Sequence, residues 1–332
     1  MKTLTTLLLA LLLLVGCSQP TSTTEAMTEA NAEVEVTTES VTTEATDAAK
    51  TEVESEENNT AYTGDFIINA EELKAKMNDE NVIIIDARGE DGAKDGRVKG
   101  AHAIAWGQLA NVSEKKPGEE GWGHVLSAEQ LQTILGDLGI DKNKEIILYS
   151  VGKAGWGEDG RILWELDAAG YENLKMVDGG WPAIEKAGIE MTKDVPEVKP
   201  VSVEISEIKY DHIIDTKSLT EEYENYKVID TREKIEYDGA TLYGEAKGGH
   251  LPGAINIPYS SLYREDGMLK SNKEIQEIFA DAGLEKTDAI VTYCTGGIRS
   301  AFMQKILQME GYNNVKNYEG SYYNWAAVNE VE

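Results

Sequence analysis

Two tandem α/β domains, each organised around a mainly parallel sheet, are what the sequence predicts, on three observations. Short aliphatic runs alternate with amphipathic stretches of helical period over most of the chain. Four blocks of the first half recur in the same order in the second, 141 to 153 positions later. With 332 residues the chain is long enough to bury two ordinary cores.

In chain order the first element is a targeting segment. Lys2 precedes an apolar run from Leu4 to Val15, too short for a membrane-spanning helix but suited to a signal peptide. Leu14-Val15-Gly16-Cys17 resembles the cleavage box of bacterial lipoproteins, so residues 1–16 are predicted to be removed and Cys17 to become the lipidated N-terminus. Without that box the same residues read as a plain signal peptide with a chance cysteine. The lipidated form places the mature chain at the cell membrane, held by its lipid anchor on the extracytoplasmic face. From Ser18 to Gly64 eleven acidic residues stand against one lysine, with almost no large apolar residue. Residues 17–64 therefore read as a lipidated cysteine followed by a disordered, self-repelling spacer. The whole chain has 31 basic and 60 acidic residues, a net charge of −29, which argues against nucleic acid as a partner.

One copy of the repeat is predicted over 65–195, a linker at 196–200 and the second copy over 201–332. In the first copy Asn81-Val-Ile-Ile-Ile-Asp86-Ala-Arg88 reads as a buried strand ending in an Asp-x-Arg turn. Lys227-Val-Ile-Asp230-Thr-Arg232 repeats it, with Asp230 144 positions after Asp86. Gly96 to Ala101 answers to Gly249 to Ala254. The strand ending at Tyr149 answers to the one ending at Tyr293, again at 144, and Asn173 to Trp181 answers to Asn314 to Tyr322 at 141. Between strands, Ala70–Met77, Ser127–Leu135 and Lys273–Ala282 carry the helical period. Val195-Pro-Glu-Val-Lys-Pro200 is proline-bounded and reads as the linker.

The stretch richest in chemistry is Tyr293-Cys294-Thr295-Gly296-Gly297-Ile298-Arg299-Ser300. A strand ends at Tyr293, and an amphipathic helix is predicted behind the loop, with Phe302, Ile306 and Met309 on one face and Gly311 closing it. Cys294 thus sits where backbone N–H groups and the positive end of a helix dipole converge. Together with Arg299 this is expected to make its thiol ionise more easily than a free one. The chain has two cysteines, so lipidation of Cys17 leaves Cys294 without a disulfide partner. In the first copy Ser150 falls where Cys294 falls, on a loop three residues longer, and no base for it is visible in the sequence. The first copy is therefore expected to be scaffold.

Several other patterns compete for attention. Gly155-Trp-Gly157-Glu-Asp-Gly160 fits G-x-G-x-x-G between a strand and a helix, with Asp178 eighteen positions on, and taken alone suggests a dinucleotide site. Glu158 and Asp159 would oppose a pyrophosphate, and the motif is not in the first strand unit of its domain, so this reading ranks low. Gly152-Lys153 lacks the Ser or Thr and the earlier glycine of a phosphate loop. His102, His124, His212 and His250 stand far apart with no H-E-x-x-H and no cysteine pair, so neither a metal nor a cofactor is expected. Asp86–Arg88 and Asp230–Arg232 occur in both copies, including the one without the cysteine, which favours a structural ion pair or turn cap. His250 has Arg97 as its counterpart and reads as a loop residue bonding backbone carbonyls. Tyr322-Tyr323-Asn324-Trp325 reads as core that could also wall the active loop.

Taken together, Asp230-Thr-Arg232, Gly249 to Pro258, Tyr293 to Ser300 and Tyr318-Glu-Gly-Ser321 resemble the rhodanese sulfurtransferases. Asp86-Ala-Arg88, Gly100-Ala-His102 and Asp178-Gly-Gly-Trp-Pro182 resemble their inactive N-terminal domain, and the likeness covers about residues 65–332. It implies two five-stranded parallel α/β domains with catalysis in the second. It implies that Cys294 is the nucleophile and carries a persulfide, cradled by Thr295, Gly296, Gly297, Ile298 and Arg299, with Arg299 helping to bind an anionic donor. Asp230, Arg232 and His250 are carried over as supporting residues. The implied partners are a small anionic sulfur donor, thiosulfate, and cyanide or a thiol as acceptor. Cysteine phosphatases of this fold have C-x5-R loops, whereas C-x4-R here fits a sulfur atom. A 3-mercaptopyruvate donor, usual with a Cys-Gly-Ser/Ala-Gly-Val-Thr loop, is the alternative, as is a carrier or redox sensor that does not turn over.

Overall fold

The computed structural model describes residues 61–332. The predicted signal segment, Cys17 and nearly all of the acidic spacer lie outside the described residues. In the first half the strands are β1 (Ile67–Ile68), β2 (Val82–Asp86), β3 (Arg97–Val98), β4 (His102–Ala103), β5 (Glu145–Tyr149), β6 (Leu174–Val177) and β7 (Met191–Thr192). In the second they are β8 (Ile213–Ile214), β9 (Lys227–Asp230), β10 (Ile255–Asn256), β11 (Ile290–Tyr293) and β12 (Val315–Tyr318). Two five-stranded sheets result, in the orders β1-β6-β5-β2-β4 and β8-β12-β11-β9-β10, with every pairing parallel. The two orders are the same order, as the sequence repeat requires. β3 and β7 form a small antiparallel pair beside the first sheet.

Central strands of a parallel sheet are covered on both faces, which is why β2 and β5 are nearly continuous aliphatic runs. Alternation decides which core each residue enters. Ile83, Ile85, Ile146 and Leu148 join a large cluster that also takes Ile229 and Ile290 from the second half. Ile84, Ile147 and Tyr149 face a smaller cluster of the first half, and Val228, Val291 and Tyr293 its counterpart in the second. Helices start where capping residues stand: the side chains of Asn69, Ser127 and Ser271 each accept from the N3 amide, and their own backbone N–H donates to the N3 side-chain oxygen.

The halves meet through twin helices, Glu158–Ala168 after β5 and Ile298–Met309 after β11. A Cβ added at Gly160 would lie 2.6 Å from Phe302 Cδ2 and 2.9 Å from its Cα, and one at Gly157 would lie 2.9 Å from Phe302 Cβ. Two of the three glycines of the G-x-G-x-x-G pattern, Gly157 and Gly160, are thus explained by close contact across the halves. The same contact changes the helix behind Cys294, which is buried nearly all round instead of showing one apolar face. Even Lys305 is fully buried there, its amine bonded to the Asp167 carboxylate of the twin helix. Past the proline-bounded linker, Val203, Ile205 and Ile208 enter the shared cluster, and Val201 N–H donates to Gly136 O at 2.9 Å. Among the described residues no helix is long and apolar enough to cross a membrane.

Candidate active site

The loop from Cys294 to Arg299 lies at the carboxyl end of β11, in the middle of the second sheet, where parallel α/β sheets place their sites. Gly297 carries the turn into the helix with a left-handed backbone (φ 84°), and a Cβ there would sit 2.7 Å from Glu319 O. That turn aims the Gly297 N–H at Cys294 Sγ, 3.1 Å away. Cys294 N–H donates to Ser321 Oγ at 3.2 Å, and its carbonyl accepts from Tyr322 N–H at 2.9 Å, so the backbone of Cys294 is pinned on both sides.

Burial pushes the Cys294 thiol up, but the Arg299 charge and the Ser300 and Gly296 peptide N–H groups outweigh it and leave the thiol below its ordinary value. A depressed thiol keeps its reactivity to lower pH and loses it as pH falls through the shifted value. Alkylation of Cys294 by iodoacetamide is therefore expected to show a midpoint below the free-thiol value of about 8.5, and Arg299→Met to move it upward. A midpoint at or above the free value in the wild type would contradict the cradle.

Arg299 has a partner that the sequence reading left out of the site. Its Nη1 and Nη2 donate to Glu236 Oε2 and Oε1 at 2.7 and 2.8 Å, and Nη2 also reaches Thr295 Oγ1 at 2.9 Å. Thr295 Oγ1 in turn donates to Glu236 Oε1 at 2.9 Å. Burial opposes ionisation of Glu236, yet Arg299 and Thr295 hold its carboxyl below the usual range. The nearby Lys234 is exposed and bonded to the Asp238 carboxylate. Glu236 was visible in sequence only as one of the acids around Lys234; its aim at Arg299 depends on the fold.

The first half, expected to be scaffold, supplies part of the site. A cavity of about 200 Å³ above the loop is lined by Cys294, Thr295, Gly296, Ile298 and Arg299 and walled by Trp106, Trp122, Trp156, Tyr243 and Tyr323. The three tryptophans belong to the first half. Arg161, fully buried, donates from Nη1 to Gly297 O at 3.0 Å, from Nη2 to Gly123 O at 2.6 Å and from Nε to Glu165 at 2.7 Å. It ties the first half to the carbonyl of the residue whose amide faces the thiol. An Arg161/Glu165 pair at i, i+4, in a helix that also carries Glu158, Asp159 and Asp167, was the one signal for it.

Ser150 also differs from the expectation, because its hydroxyl donates to Glu158 Oε2 at 2.7 Å and so has a carboxylate beside it. Ser150 is nonetheless buried and lines no part of the cavity. The left-handed glycine comes seven residues after Ser150 at Gly157, against three after Cys294 at Gly297, and the helix that follows has 11 residues against 12. Those two differences together give the three extra residues of the first copy.

Asp230, Arg232 and His250 lie off the cavity lining. Arg232 Nε and Nη2 bind Asp230 at 2.6–3.0 Å, Nη2 reaches Gly249 O at 2.8 Å, and Tyr293 Oη donates to Asp230 Oδ2 at 2.5 Å. The first half repeats this with Arg88, Asp86, Gly96 O and Tyr149 Oη. In each copy the tyrosine oxygen also accepts an N–H from the loop, at Val98 or Leu251, so the pair ties that loop to the sheet. His250 stacks on Tyr237 at 3.7 Å, with Nδ1 3.1 Å from the Tyr237 carbonyl. Of the aromatic cluster near the C-terminus, Tyr323 walls the cavity while Tyr322 and Trp325 are core.

Comparison with known proteins agrees with this geometry. The rhodanese-like domain family matches residues 69–187 and again 215–328. The chain is 27% identical over 273 residues to a thiosulfate sulfurtransferase of Pseudomonas aeruginosa, covering 78% of this chain and 93% of that one. It is 26% identical over 269 residues to the sulfur carrier protein TtuD of Thermus thermophilus, covering 74% and 85%. The fold is similar to that of the anaerobic ergothioneine biosynthesis enzyme from Chlorobium limicola, solved with trimethyl histidine, at a TM-score of 0.70 and 19% identity over 81% of this chain and 70% of that one. With two matched segments that together span most of its length, the chain belongs to the rhodanese-like domain family.

Proposed function

We propose that the protein is a sulfurtransferase whose Cys294 takes sulfane sulfur from thiosulfate and hands it, as a persulfide, to cyanide or a thiol. The Cys294 thiolate attacks the outer sulfur of thiosulfate, the S–S bond breaks, and sulfite leaves with the bonding pair. The acceptor then attacks the outer sulfur of the persulfide and returns the pair to Cys294. The observation that carries this reading is the thiol held at 3.1 Å from the Gly297 N–H, in a loop with four residues between cysteine and arginine. The similarity to the thiosulfate sulfurtransferase of Pseudomonas aeruginosa supports the donor.

A second reading, a carrier that is loaded and unloaded by partners, is favoured by Glu236. With both terminal nitrogens of Arg299 bound to that carboxylate, the one cation of the lining is already answered, which weakens the attraction for a dianion. Incubation with thiosulfate is expected to add the mass of one sulfur atom to the Cys294 peptide, and turnover with excess cyanide separates enzyme from carrier. Steady-state rates with thiosulfate and 3-mercaptopyruvate, measured side by side, decide the donor. Absence of the added sulfur with either donor would sink both readings. We also propose that Cys17 is lipidated and that the folded part works on the extracytoplasmic face of the membrane; the apolar run and cleavage box of the sequence support this. Metabolic labelling with palmitate, lost in Cys17→Ser, tests it.

A further inference from the structure

The cavity above Cys294 is aromatic, and the one cation of its lining, Arg299, is answered by Glu236. Trp106, Trp122 and Tyr323 meet edge to face, with centroids 6.2 and 5.1 Å apart, and Trp156 meets Tyr243 in the same way at 5.7 Å. Trp156 and Tyr243 are 47% and 41% exposed, so these two rings form the mouth. Behind the wall lies a second carboxylate. Glu245 is buried, its Oε2 accepting from Tyr243 N–H at 2.8 Å while Oε1 meets no donor of the protein. Tyr323, whose hydroxyl donates to Tyr243 O at 2.9 Å, feels this directly. Burial first, and then the charges of Glu245 and Cys294, push its phenol up to about 12. Among the lining residues the one cation is Arg299, and Glu236 binds it, so the pair offers little net positive charge, while the Cys294 thiolate and the buried Glu245 behind the wall add negative charge. Aromatic faces and a net negative field both attract a cation and disfavour an anion.

Resting on the persulfide reading above, we infer that the acceptor that empties Cys294 is a small thiol carrying a positive charge, held by Trp122, Trp156, Tyr243 and Tyr323 and admitted because Glu236 answers the Arg299 charge. The acceptor thiol loses its proton to solvent, and its thiolate attacks the outer sulfur of the Cys294 persulfide. The S–S bond breaks, its electron pair stays on Cys294 Sγ, and the acceptor leaves as a persulfide. No oxidant or reductant is consumed.

The test uses the full chain loaded with thiosulfate, or with inorganic polysulfide if thiosulfate loads it poorly. It is then mixed with cysteamine, 2-mercaptoethanol or 2-mercaptoethanesulfonate at equal thiolate concentration, and loss of the persulfide is followed in a single turnover. Cysteamine is expected to be fastest and the sulfonate slowest, about tenfold apart. The gap is expected to narrow as salt is raised. Glu236→Gln is expected to narrow it as well and to lower the KM for thiosulfate by freeing Arg299. A merely weakened fold would not slow one substrate and favour another. Trp156→Ala is expected to slow cysteamine more than the sulfonate. Equal rates, or a faster sulfonate, in the wild-type protein would overturn the inference while leaving the sulfurtransferase intact. Failure of any persulfide to form on Cys294 would remove both.

Discussion

Cys294→Ser is expected to lower thiocyanate formation from thiosulfate and cyanide by at least about a thousandfold. The Arg299 charge and the Ser300 and Gly296 N–H groups outweigh burial and bring a thiol below its ordinary ionisation range, but a hydroxyl starts far too high for the same cradle to ionise it. The substitution removes one sulfur atom from a buried site and keeps the loop, so the protein should stay folded. Ser150→Ala is the control. The Ser150 hydroxyl is engaged by Glu158 and lines no wall of the cavity, so turnover per folded molecule should be unchanged. Thiocyanate formed by Cys294→Ser at the wild-type rate would end the assignment of Cys294 as nucleophile.

Arg161→Met is expected to cost about 3–5 kcal/mol of stability, seen as a lower urea midpoint, and to reduce turnover as well. Glu165 would be left as a buried carboxylate without its guanidinium, and the Gly123 and Gly297 carbonyls would lose their donor from the first half. Asn317 Nδ2, at 3.3 Å from Gly297 O, would remain as the second contact on that carbonyl. Arg161→Lys keeps the charge but not the planar fork that serves three acceptors at once, so it should recover little. Unchanged stability together with unchanged turnover in Arg161→Met would show that the first half does not support the active loop.

The internal repeat and the placement of Cys294 were legible before any coordinates, because both depend on local pattern. Short aliphatic runs and the Asp-x-Arg turns recur at fixed spacing, and a cysteine directly after a strand and before a helix has few places to go. The ion pairs Asp86–Arg88 and Asp230–Arg232, read as structural because both copies have them, lie off the cavity as that reasoning expects. What escaped the sequence were residues whose role depends on a partner far along the chain. Glu236 and Arg299 are 63 positions apart, and Arg161 and Gly297 are 136 apart. The burial of Ile298–Met309 on all sides belongs to the same class, since the twin helix that covers its second face comes from the other half.

By itself, then, the sequence determined the α/β class, the duplication, the place of Cys294 at the end of a strand and the length of its loop, all of which follow from contacts between near neighbours. Only the tertiary structure decided the charge and shape of the site. Packing of the two halves brought Trp106, Trp122 and Trp156 over Cys294, and folding of the second half set Glu236 against Arg299. Side chains that meet across such distances are fixed by how the sheets and helices dock, and no local spacing records that geometry.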